Sequence, residues 1–463
     1  MRFLAVLLVA ASPVFGQTLQ SQVESLIRSK PAAERAFWGV KAIDLATGRT
    51  LVSINSGRLF RPASNTKLFT TAFALSRLGP EHVTHTVVAC DAAPDGSGRI
   101  AGDVTLIGGG DPALKIGDLA ERVLAAGVRS IGGDIIGDDT AYEWEPYPEG
   151  WTIDDSTWDY GAPVSALALD DNVFRLTLRP GPAASSPPVA TLTPASDSIT
   201  IDSRVRWSAS GERDIAIERG EGWLRISGTM PRRTVVLLLA GGDPALNAAR
   251  ALREALLERG VAVRGRAAAR HRRRGEQAPE QQGYEIARVA SPPFLEVLRT
   301  INKDSQNLYA EMALREAARA GAGKTGRADG VEERKAFLAE LGISESECAL
   351  KDGSGLARQN MVTPNAVVTL LARMHASKKR DTWHSLLPVG GKDGTLADRF
   401  GGSANARRIL AKTGTLDGVS ALSGYAERRL GGRIAFSILV NNYTGESGEI
   451  RSVMDRIALL LAR

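Results

Sequence analysis

The sequence predicts an α/β protein of several domains, in which one domain of helices and antiparallel strands is split by a large β-rich insertion. Helical and strand patterns alternate at both ends of the chain, whereas residues 86–285 carry short apolar runs separated by glycines and turns. The chain has 463 residues, of which 43% are apolar and 24% charged. This length is enough for two or three domains with large cores.

The first 16 residues have the pattern of an export signal. Arg2 gives a positive start, an apolar run follows over residues 3–11, and cleavage is expected after Gly16. The run is too short to span a bilayer, and no cysteine lies nearby to carry a lipid anchor. We therefore expect an exported protein of the bacterial cell envelope (periplasmic or extracellular) with no transmembrane segment. A buried N-terminal strand or helix is the alternative interpretation.

The first part of the interrupted domain is expected over residues 17–85. It starts with a short amphipathic helix, and the stretch FWGVKAIDLATGRTLVSINS then indicates two strands joined by a turn. An apolar helix follows through KLFTTAFALSRLG and is stopped by Gly79 and Pro80.

Within the insertion, the hexapeptide GGDPAL occurs twice, at residues 109–114 and 241–246. Each copy precedes an amphipathic helix, and Asp followed by Pro is typical of an N-cap and the first helical position. A phosphate-binding loop is the alternative, but an aspartate at the cap would repel an anion. We expect two subdomains, an outer one over 86–165 and 230–285 and an inner one over 166–229.

A basic run over residues 264–283 (RGRAAARHRRRGEQAPEQQG) is predicted to be a solvated surface loop where two domains join. The net charge of the chain is +6, which favours anionic surroundings such as a cell envelope. Nucleic-acid binding is disfavoured, because no aromatic residues are interleaved with the arginines.

The chain has two cysteines, Cys90 and Cys348, which lie far apart in the sequence. In an oxidising compartment they would either pair or stay free and buried, and the sequence leaves both outcomes open. Neither belongs to a Cys-x-x-Cys pattern, and the five histidines include no His-Glu-x-x-His motif. We expect neither a metal ion nor a cofactor.

Residues 286–463 are expected to complete the interrupted domain. Helical segments come first, strands return at RRILAKTGTL, ALSGYAERR and RIAFSILVNN, and a last helix follows. The pattern indicates an antiparallel sheet that combines strands and helices from both ends of the sequence.

Three short motifs carry the functional prediction. Ser64 and Lys67 share one helix face, so a hydroxyl nucleophile can meet an amine base, although this pair alone equally fits a helix cap beside a solvated lysine. Ser305-Gln306-Asn307 lies in a helical region, and Lys412-Thr413-Gly414-Thr415 lies on a strand. The order Ser-x-x-Lys, Ser-x-Asn, Lys-Thr-Gly is a signature of β-lactamases and penicillin-binding proteins.

The spacing of these motifs distinguishes between the families of proteins that share them. Ser64 and Ser305 are 241 residues apart, and a compact β-lactamase leaves no such gap. With the blocks GGGDPAL, GWTIDDSTWDYGAPVSAL, DGSGLARQNMVTP and LPVGGKDGTLADRF, the chain resembles the low-molecular-mass class C penicillin-binding proteins over nearly its whole mature length. Gln306, where Asp is frequent, and Ala357, where Ser is expected, depart from the family pattern.

The resemblance implies a penicillin-binding/serine β-lactamase-like transpeptidase domain, with two domains inserted between the first two motifs. It also implies a serine D-Ala-D-Ala carboxypeptidase or endopeptidase that acts on peptidoglycan stem peptides and is acylated by β-lactam antibiotics. The oligomeric state does not follow from the sequence.

The first two motifs supply groups that can move a proton. Lys67 can take the proton of Ser64 only when it is neutral, which burial and a nearby cation such as Lys412 would favour. The hydroxyl of Ser305 can relay this proton to the leaving amine, and Asn307 can orient Lys67 and the substrate amide.

The third motif is expected to bind the substrate. The resemblance implies that Lys412 and Thr413 receive the terminal carboxylate, and Gly414 lets the substrate backbone lie against the strand. The backbone amides of Ser64 and Thr415 would form the oxyanion hole. The expected intermediate is an acyl-enzyme at Ser64, which water then hydrolyses.

A second binding residue is suggested by GWTIDD at residues 150–155. The resemblance implies that an aspartate here contacts the amine of the third stem residue, and Asp155 is the better match, with Asp154 adjacent. A loop aspartate that caps a turn is the alternative.

Two other functions share the three motifs. A β-lactamase is disfavoured by the long insertion and because no deacylating glutamate can be identified. A penicillin-acylated sensor that never turns over is disfavoured because a sensor needs a transmembrane segment to signal inward.

Overall fold

The computed structural model describes residues 18–183, 186–195, 199–220, 222–279 and 283–463. The predicted export signal, residues 1–16, lies outside this part of the chain. In the described part, no helix is both long and apolar enough to cross a bilayer. Cys90 and Cys348 are both buried free thiols, so the structure favours the unpaired alternative.

The α-helices of the described chain fall into two groups. Two of them lie in the inserted segment, and the others lie in the parts of the chain before and after it. In chain order they are α1 (Leu19–Arg28), α2 (Pro31–Arg35), α3 (Thr66–Leu78), α4 (Ile116–Ala125), α5 (Pro244–Glu258), α6 (Phe294–Lys303), α7 (Asn307–Ala322), α8 (Arg327–Glu340), α9 (Pro364–Ala376), α10 (Arg380–Leu386) and α11 (Gly448–Leu461).

The strands are short in the insertion and longer near the chain ends. In chain order they are β1 (Phe37–Asp44), β2 (Thr50–Ile54), β3 (His85–Cys90), β4 (Arg99–Ile100), β5 (Val104–Ile107), β6 (Ser130–Ile131), β7 (Ile135–Asp138), β8 (Val173–Arg179), β9 (Val189–Thr193), β10 (Thr200–Trp207), β11 (Asp214–Gly220), β12 (Trp223–Met230), β13 (Val235–Ala240), β14 (Ala262–Val263), β15 (Ala267–Arg270), β16 (Tyr284–Ala290), β17 (Cys348–Ala349), β18 (Met361–Val362), β19 (Ile409–Leu416), β20 (Val419–Glu427) and β21 (Arg433–Asn441).

The central sheet joins the two ends of the chain. Its strand order is β19-β20-β21-β1-β2, and every neighbouring pair is antiparallel. Strand β1 bonds to β21 along its whole length, from Phe37 opposite Asn441 to Asp44 opposite Ile434. The predicted antiparallel sheet built from both ends of the sequence is therefore confirmed, and with it the α/β class.

The central sheet is covered on both faces, because its middle strands are apolar at successive positions. Ala421 and Tyr425 of β20 face a core shared with α3, α6, α7, α8, α9 and α10. Leu422 and Ala426 face the opposite core, which is shared with α1, α2 and α11. Alternate side chains of a strand point to opposite faces, so one strand serves two cores.

The segment between α3 and α6 begins and ends on neighbouring strands. Strand β3 pairs antiparallel with β16, with His85 opposite Ala290. These strands belong to a five-stranded sheet of order β15-β7-β5-β3-β16, on which α4 and α5 pack through a common apolar core. A smaller parallel sheet of order β14-β6-β4 lies in the same part of the chain.

The middle of this segment folds into two three-stranded sheets. Their strand orders are β13-β8-β9 and β10-β12-β11, and both contribute to one apolar cluster that includes Leu176, Ile226 and Leu237. This cluster shares no residue with the core of α4 and α5.

Only one copy of GGDPAL caps a helix as predicted. Asp243 accepts a hydrogen bond from the backbone N–H of Leu246, and Pro244 is the first residue of α5. The prediction is wrong for the first copy, because α4 begins at Ile116, after the hexapeptide has ended. There the Asp111 carboxylate accepts from the N–H of Ala113 and closes a turn two residues on.

Only the first part of the basic run departs from the predicted solvated loop, since residues 273–279 are exposed and lie outside helices and strands. Ala267–Arg270 form strand β15, which pairs in parallel with β7. Arg272 is only 7% exposed and donates to the carbonyl of Thr140 and the hydroxyl of Thr325. The run therefore ties the inserted segment to the loop between α7 and α8.

Candidate active site

Ser64 lies on a tight turn at the entrance to α3. The turn spans Ala63–Asn65, and Ala63 has a positive φ of 47°. A side chain at Gly355 would come within 2.0 Å of the Ala63 carbonyl, so a second loop packs directly against this turn. The turn is thus held in place from outside the helix that it begins.

Lys67 lies in the first turn of α3, and its side chain is fully buried. Its Nζ lies 2.9 Å from Ser64 Oγ, 2.6 Å from Asn307 Oδ1 and 2.7 Å from the carbonyl oxygen of Ser354. In the part of the chain that the structure describes, these partners are a hydroxyl, an amide oxygen and a backbone carbonyl. The amine is therefore held by neutral groups.

Burial lowers the pKa of Lys67 to about 7, although the charges of Asp352 and Glu311 oppose the shift. The expected help from Lys412 is not the cause, since desolvation alone brings the lowering. Burial, and then the charge of Lys67, also moves the pKa of Lys412 well below its usual value. A neutral amine at Lys67 is consequently accessible near neutral pH.

The second motif lies in the break between α6 and α7. Ser305 has a positive φ of 65°, which turns the chain sharply before Asn307 begins α7. The side chain of Gln306 accepts from the N–H of Leu308 and caps the helix. The amide oxygen of Gln306 therefore makes the N-cap bond of α7.

Asn307 connects the second motif to both neighbouring groups. Its Oδ1 accepts from Lys67, and its Nδ2 donates to the carbonyl of Tyr160 at 2.7 Å. Tyr160 belongs to the inserted segment, so this segment supports the orientation of the amide.

Lys412 lies on β19, the edge strand of the central sheet, and is fully buried. Its Nζ lies 2.9 Å from Ser305 Oγ and donates to the carbonyl of Thr413 at 2.9 Å. The structure therefore brings the three motifs together in two contacts, Lys67 to Asn307 and Lys412 to Ser305.

The Lys-Thr-Gly strand lies directly against the Ser64 turn. A Cβ atom on Gly414 would approach the Pro62 carbonyl to 2.8 Å and the Ser64 nitrogen to 3.1 Å, so a side chain at Gly414 would push strand and turn apart. The close approach, which needs glycine here, brings the amides of Ser64 and β19 into one region.

The N–H of Thr415 points toward the free edge of β19. The N–H of Ala411 donates to the Pro388 carbonyl and not to β20. Because hydrogen-bonding directions alternate along a strand, the N–H groups of Thr413 and Thr415 point to the same edge. The N–H of Thr415 is therefore directed away from β20, and its part in an oxyanion hole stays a prediction.

Thr395 was not anticipated from the sequence. Its hydroxyl lies 2.8 Å from the hydroxyl of Thr413, so two hydroxyls meet where the third motif is expected to bind a carboxylate. The loop that carries Thr395 is held by an ion pair between Lys303 and Asp393 of 2.5 Å. The block LPVGGKDGTLADRF contains this loop, but its composition did not reveal the contact.

The DGSG stretch at residues 352–355 was also not given a role. Its carboxylate, that of Asp352, accepts from the N–H groups of Gly355 and Ala357 at 2.9 and 2.7 Å. Ser354 supplies the carbonyl that binds Lys67. Ala357 is itself buried, and the bond of its N–H to Asp352 holds this loop without a side-chain hydroxyl at position 357.

Asp155 is buried and already has a cationic partner. Its two carboxylate oxygens accept from Arg358 at 3.0 and 3.1 Å, and one of them also accepts from the N–H of Thr152 at 2.9 Å. Arg358 remains about one third exposed, at 34%. Asp154, the alternative, is exposed. The partner Arg358 was missed because it lies far away in the sequence.

Comparison with known proteins identifies the family of this chain. Residues 19–463 match the model of the D-Ala-D-Ala carboxypeptidase 3 (S13) family. A D-alanyl-D-alanine carboxypeptidase of Actinomadura sp. is 36% identical over 98% of this chain and 88% of its own length. The D-alanyl-D-alanine carboxypeptidase DacB of Haemophilus influenzae is 25% identical over 91% of this chain and 88% of its own length.

Solved structures show the same fold. The crystal structure of penicillin binding protein 4 (dacB) from Haemophilus influenzae superposes with a TM-score of 0.80 at 24% identity, covering 95% of this chain and 97% of that chain. A predatory endopeptidase from Bdellovibrio bacteriovorus superposes with a TM-score of 0.52 at 16% identity, covering 92% and 93%.

The family match extends over almost all of the described chain, and the 36% identity is spread over nearly its full length. The three motifs are brought together around two buried amines, those of Lys67 and Lys412. The chain belongs to the S13 family of serine D-Ala-D-Ala carboxypeptidases.

Proposed function

We propose that this protein hydrolyses the terminal D-Ala-D-Ala bond of peptidoglycan stem peptides through an acyl-enzyme at Ser64. The observation that carries the proposal is the contact of 2.9 Å between Ser64 Oγ and the buried Nζ of Lys67, whose pKa is lowered to about 7. A nucleophile next to an amine that is partly neutral at pH 7 needs no histidine to be activated.

The hydrogen-bond partners of Lys67 indicate how its lone pair is aimed. A neutral amine has two N–H donors and one lone pair. Asn307 Oδ1 and the Ser354 carbonyl can only accept, so they take the two N–H groups. The lone pair is left for the hydroxyl proton of Ser64.

We propose that acylation and deacylation proceed in the following order. Ser64 Oγ attacks the carbonyl carbon of the scissile amide while Lys67 takes the hydroxyl proton. The N–H groups of Ser64 and Thr415 stabilise the oxyanion. The proton passes through the Ser305 hydroxyl to the leaving nitrogen, the C–N bond breaks, and D-Ala departs as a free amine. Water repeats the attack on the ester and regenerates Ser64.

The third motif is proposed to hold the substrate's terminal carboxylate. Lys412, Thr413 and Thr395 offer an amine and two hydroxyls within one small region. A carboxylate arriving next to Lys412 favours its protonated form, because an opposite charge raises the pKa of an amine. Binding of a substrate with a terminal carboxylate therefore stabilises the protonated form of Lys412, which burial otherwise disfavours.

The pair formed by Asp155 and Arg358 is proposed to recognise the third stem residue. A substrate ammonium can share the Asp155 carboxylate, and the exposed part of Arg358 can receive a carboxylate from the same substrate. A side chain that carries both charges fits this pair better than one with an amine alone.

The location and domain division are also proposed from the sequence pattern. Residues 1–16 would direct export to the cell envelope, where peptidoglycan is found. Residues 17–85 and 286–463 would form the catalytic domain, and residues 86–285 the inserted region. The pairing of β3 with β16 supports an insertion with its two ends side by side.

The test is labelled penicillin followed by peptide mapping, together with D-Ala release from a D-Ala-D-Ala peptide. Label on Ser64, none in Ser64→Ala, and full labelling of the control Ser76→Ala near the other end of α3 are expected. Rapid penicillin hydrolysis without D-Ala release would instead identify a β-lactamase. A permanent adduct without peptide turnover would identify a sensor.

A further inference from the structure

A carboxylate that the reaction above does not use lies behind the active-site lysine. Glu311 is on α7, one helical turn after Asn307, and is fully buried. Its Oε1 accepts from the backbone N–H groups of Gly353 and Ser354, each at 2.8 Å. Its Oε2 lies 3.3 Å from Nη1 of Arg315, which is also buried.

Glu311 and Lys67 act on the same residue from opposite sides. Glu311 fixes the N–H of Ser354, and Lys67 donates to the carbonyl of Ser354 at 2.7 Å. This carbonyl is one of the two acceptors that leave the lysine lone pair for Ser64. A shift of the 353–354 backbone would therefore turn the amine away from its target.

Both oxygens of Glu311 are used as acceptors, which matches the ionised form of the side chain. Burial and the charge of Asp352 raise the pKa of Glu311, whereas Arg315 opposes the rise. When ionised, Glu311 favours the protonated form of Lys67. The carboxylate thus has a mechanical and an electrostatic effect on the same amine.

We propose that Glu311 is a positioning residue for acylation: through the Gly353–Ser354 backbone it holds the Lys67 amine with its lone pair toward Ser64. This inference rests on the function proposed above.

Other charged groups also face this part of the molecule, and the test must keep them constant. Asp352 and Arg334 approach from the DGSG loop and α8, Arg315 lies on α7 itself, and Lys412 faces Lys67 from β19. The variants below change none of them.

Two substitutions separate the two effects of Glu311. Glu311→Gln keeps an acceptor for the two N–H groups but removes the charge. Glu311→Asp keeps the charge but withdraws the oxygens from the loop. Glu316→Gln is the matched control, because Glu316 is a buried carboxylate of the same helix that pairs with Arg319 and His82.

The measurement is the second-order rate of penicillin acylation from pH 5 to 10, with thermal unfolding recorded for each variant. Glu311→Gln should move the acid limb down by about 1 pH unit, as expected for loss of one nearby opposite charge. Glu311→Asp should lower the plateau about tenfold or more, as expected for a misaligned base. Glu316→Gln should change neither.

The proposal would be overturned if both Glu311 variants had the same acid limb and the same plateau of the acylation rate as the wild-type protein and differed only in a lower unfolding temperature. The plateau of Glu311→Asp decides the positioning role, and the acid limb of Glu311→Gln decides the electrostatic effect. Failure of the proposed function is a separate result, since it would appear as missing penicillin acylation or missing D-Ala release in the wild-type protein. The protonation of Lys67, followed by NMR of labelled lysine, would even then show whether Glu311→Gln shifts it.

Discussion

Two clusters of this molecule, one buried and one partly buried, are governed by the same physical effects and reach opposite results. In the active site, Lys67 is bonded to neutral oxygens, and burial lowers its pKa to about 7. In the inserted segment, His271 lies between Asp139 at 2.9 Å and Asp243 at 3.0 Å. Burial would lower the pKa of His271 as well, but these two carboxylates outweigh it and raise the pKa to about 10.

The difference lies in how near the opposite charge is placed. Carboxylates in direct contact keep His271 charged and make it a fixed connection between β7, the N-terminus of α5 and the basic run. In the active site, the carboxylates of Asp352 and Glu311 do not contact the Lys67 amine. They accept from backbone N–H groups of the neighbouring loop instead. An amine held in this way can lose its proton, whereas the imidazolium cannot near neutral pH.

The largest effect is expected from removing the base. Lys67→Arg should lower penicillin acylation by about 10²- to 10⁴-fold, the usual contribution of a general base, since a guanidinium does not lose its proton. Stopped-flow or mass-spectrometric acylation rates measure this, with the exposed Lys324→Arg as the control. A Lys67→Arg protein that is acylated at nearly the wild-type rate would remove the lysine from the mechanism.

The difference between Lys67 and His271 should disappear if Lys67 is given a carboxylate in direct contact with its amine. Asn307→Asp places a charge where the amide oxygen lies 2.6 Å from Nζ. The pKa of Lys67 should rise by about 1–3 units, so acylation at pH 7 should fall tenfold or more and recover at alkaline pH. Asn365→Asp on α9 is the control. A loss that alkaline pH does not relieve would mean that the amide itself, and not the charge, matters.

The ion pair at residues 155 and 358 is an intermediate case, with one buried and one partly exposed partner. Asp155→Asn should lower kcat/KM about ten- to a hundredfold, or about 1.5–3 kcal/mol, for a peptide with an amine on its third residue. Penicillin has no such amine, so its acylation should hardly change. Equal losses on both compounds would show that Asp155 only supports the fold, and Asp154→Asn tests the neighbouring carboxylate.

The smallest effect is expected from weakening the histidine cluster. Asp243→Asn keeps a side-chain cap for α5 but removes one charge, which should cost about 1–2 kcal/mol of unfolding free energy at neutral pH. Chemical unfolding measures this, and acylation should be unchanged. An unaltered stability would mean that Asp139 alone holds His271.

The same variant tests the pH dependence of the cluster. Because folding raises the pKa of His271 from 6.5 to about 10, its contribution is complete below pH 6.5 and is lost as the pH rises toward 10. The wild-type protein should lose this stability over that range, and Asp243→Asn should lose less. Acylation has the opposite trend, since it should increase as Lys67 deprotonates near pH 7.

The sequence was sufficient to predict the three motifs and the sheet that carries the third one. The motif residues are specified by their side chains, and the strands by apolar runs that are buried on two faces. Ser64, Lys67 and Lys412 could therefore be found before their positions were known. The distances among them follow from the central sheet and α3.

The supporting groups could not be predicted, because their roles depend on backbone atoms or on distant partners. Ser354 contributes only its carbonyl, which any residue has. Asp155 and Arg358 are paired across the fold, and no local pattern relates them. Strand β15 in the basic run could not be predicted, because its sequence, Ala-Ala-Ala-Arg, has no alternation of polar and apolar residues.

The bonding of β1 to β21 has a consequence for the order in which the enzyme is made. A ribosome delivers Ser64 and Lys67 early, yet the strand that carries Lys412 and the strand that completes the sheet come from the last tenth or so of the chain. A nascent or truncated chain therefore holds the nucleophile without its partner strand. Hydrolytic competence arises only when synthesis is nearly finished.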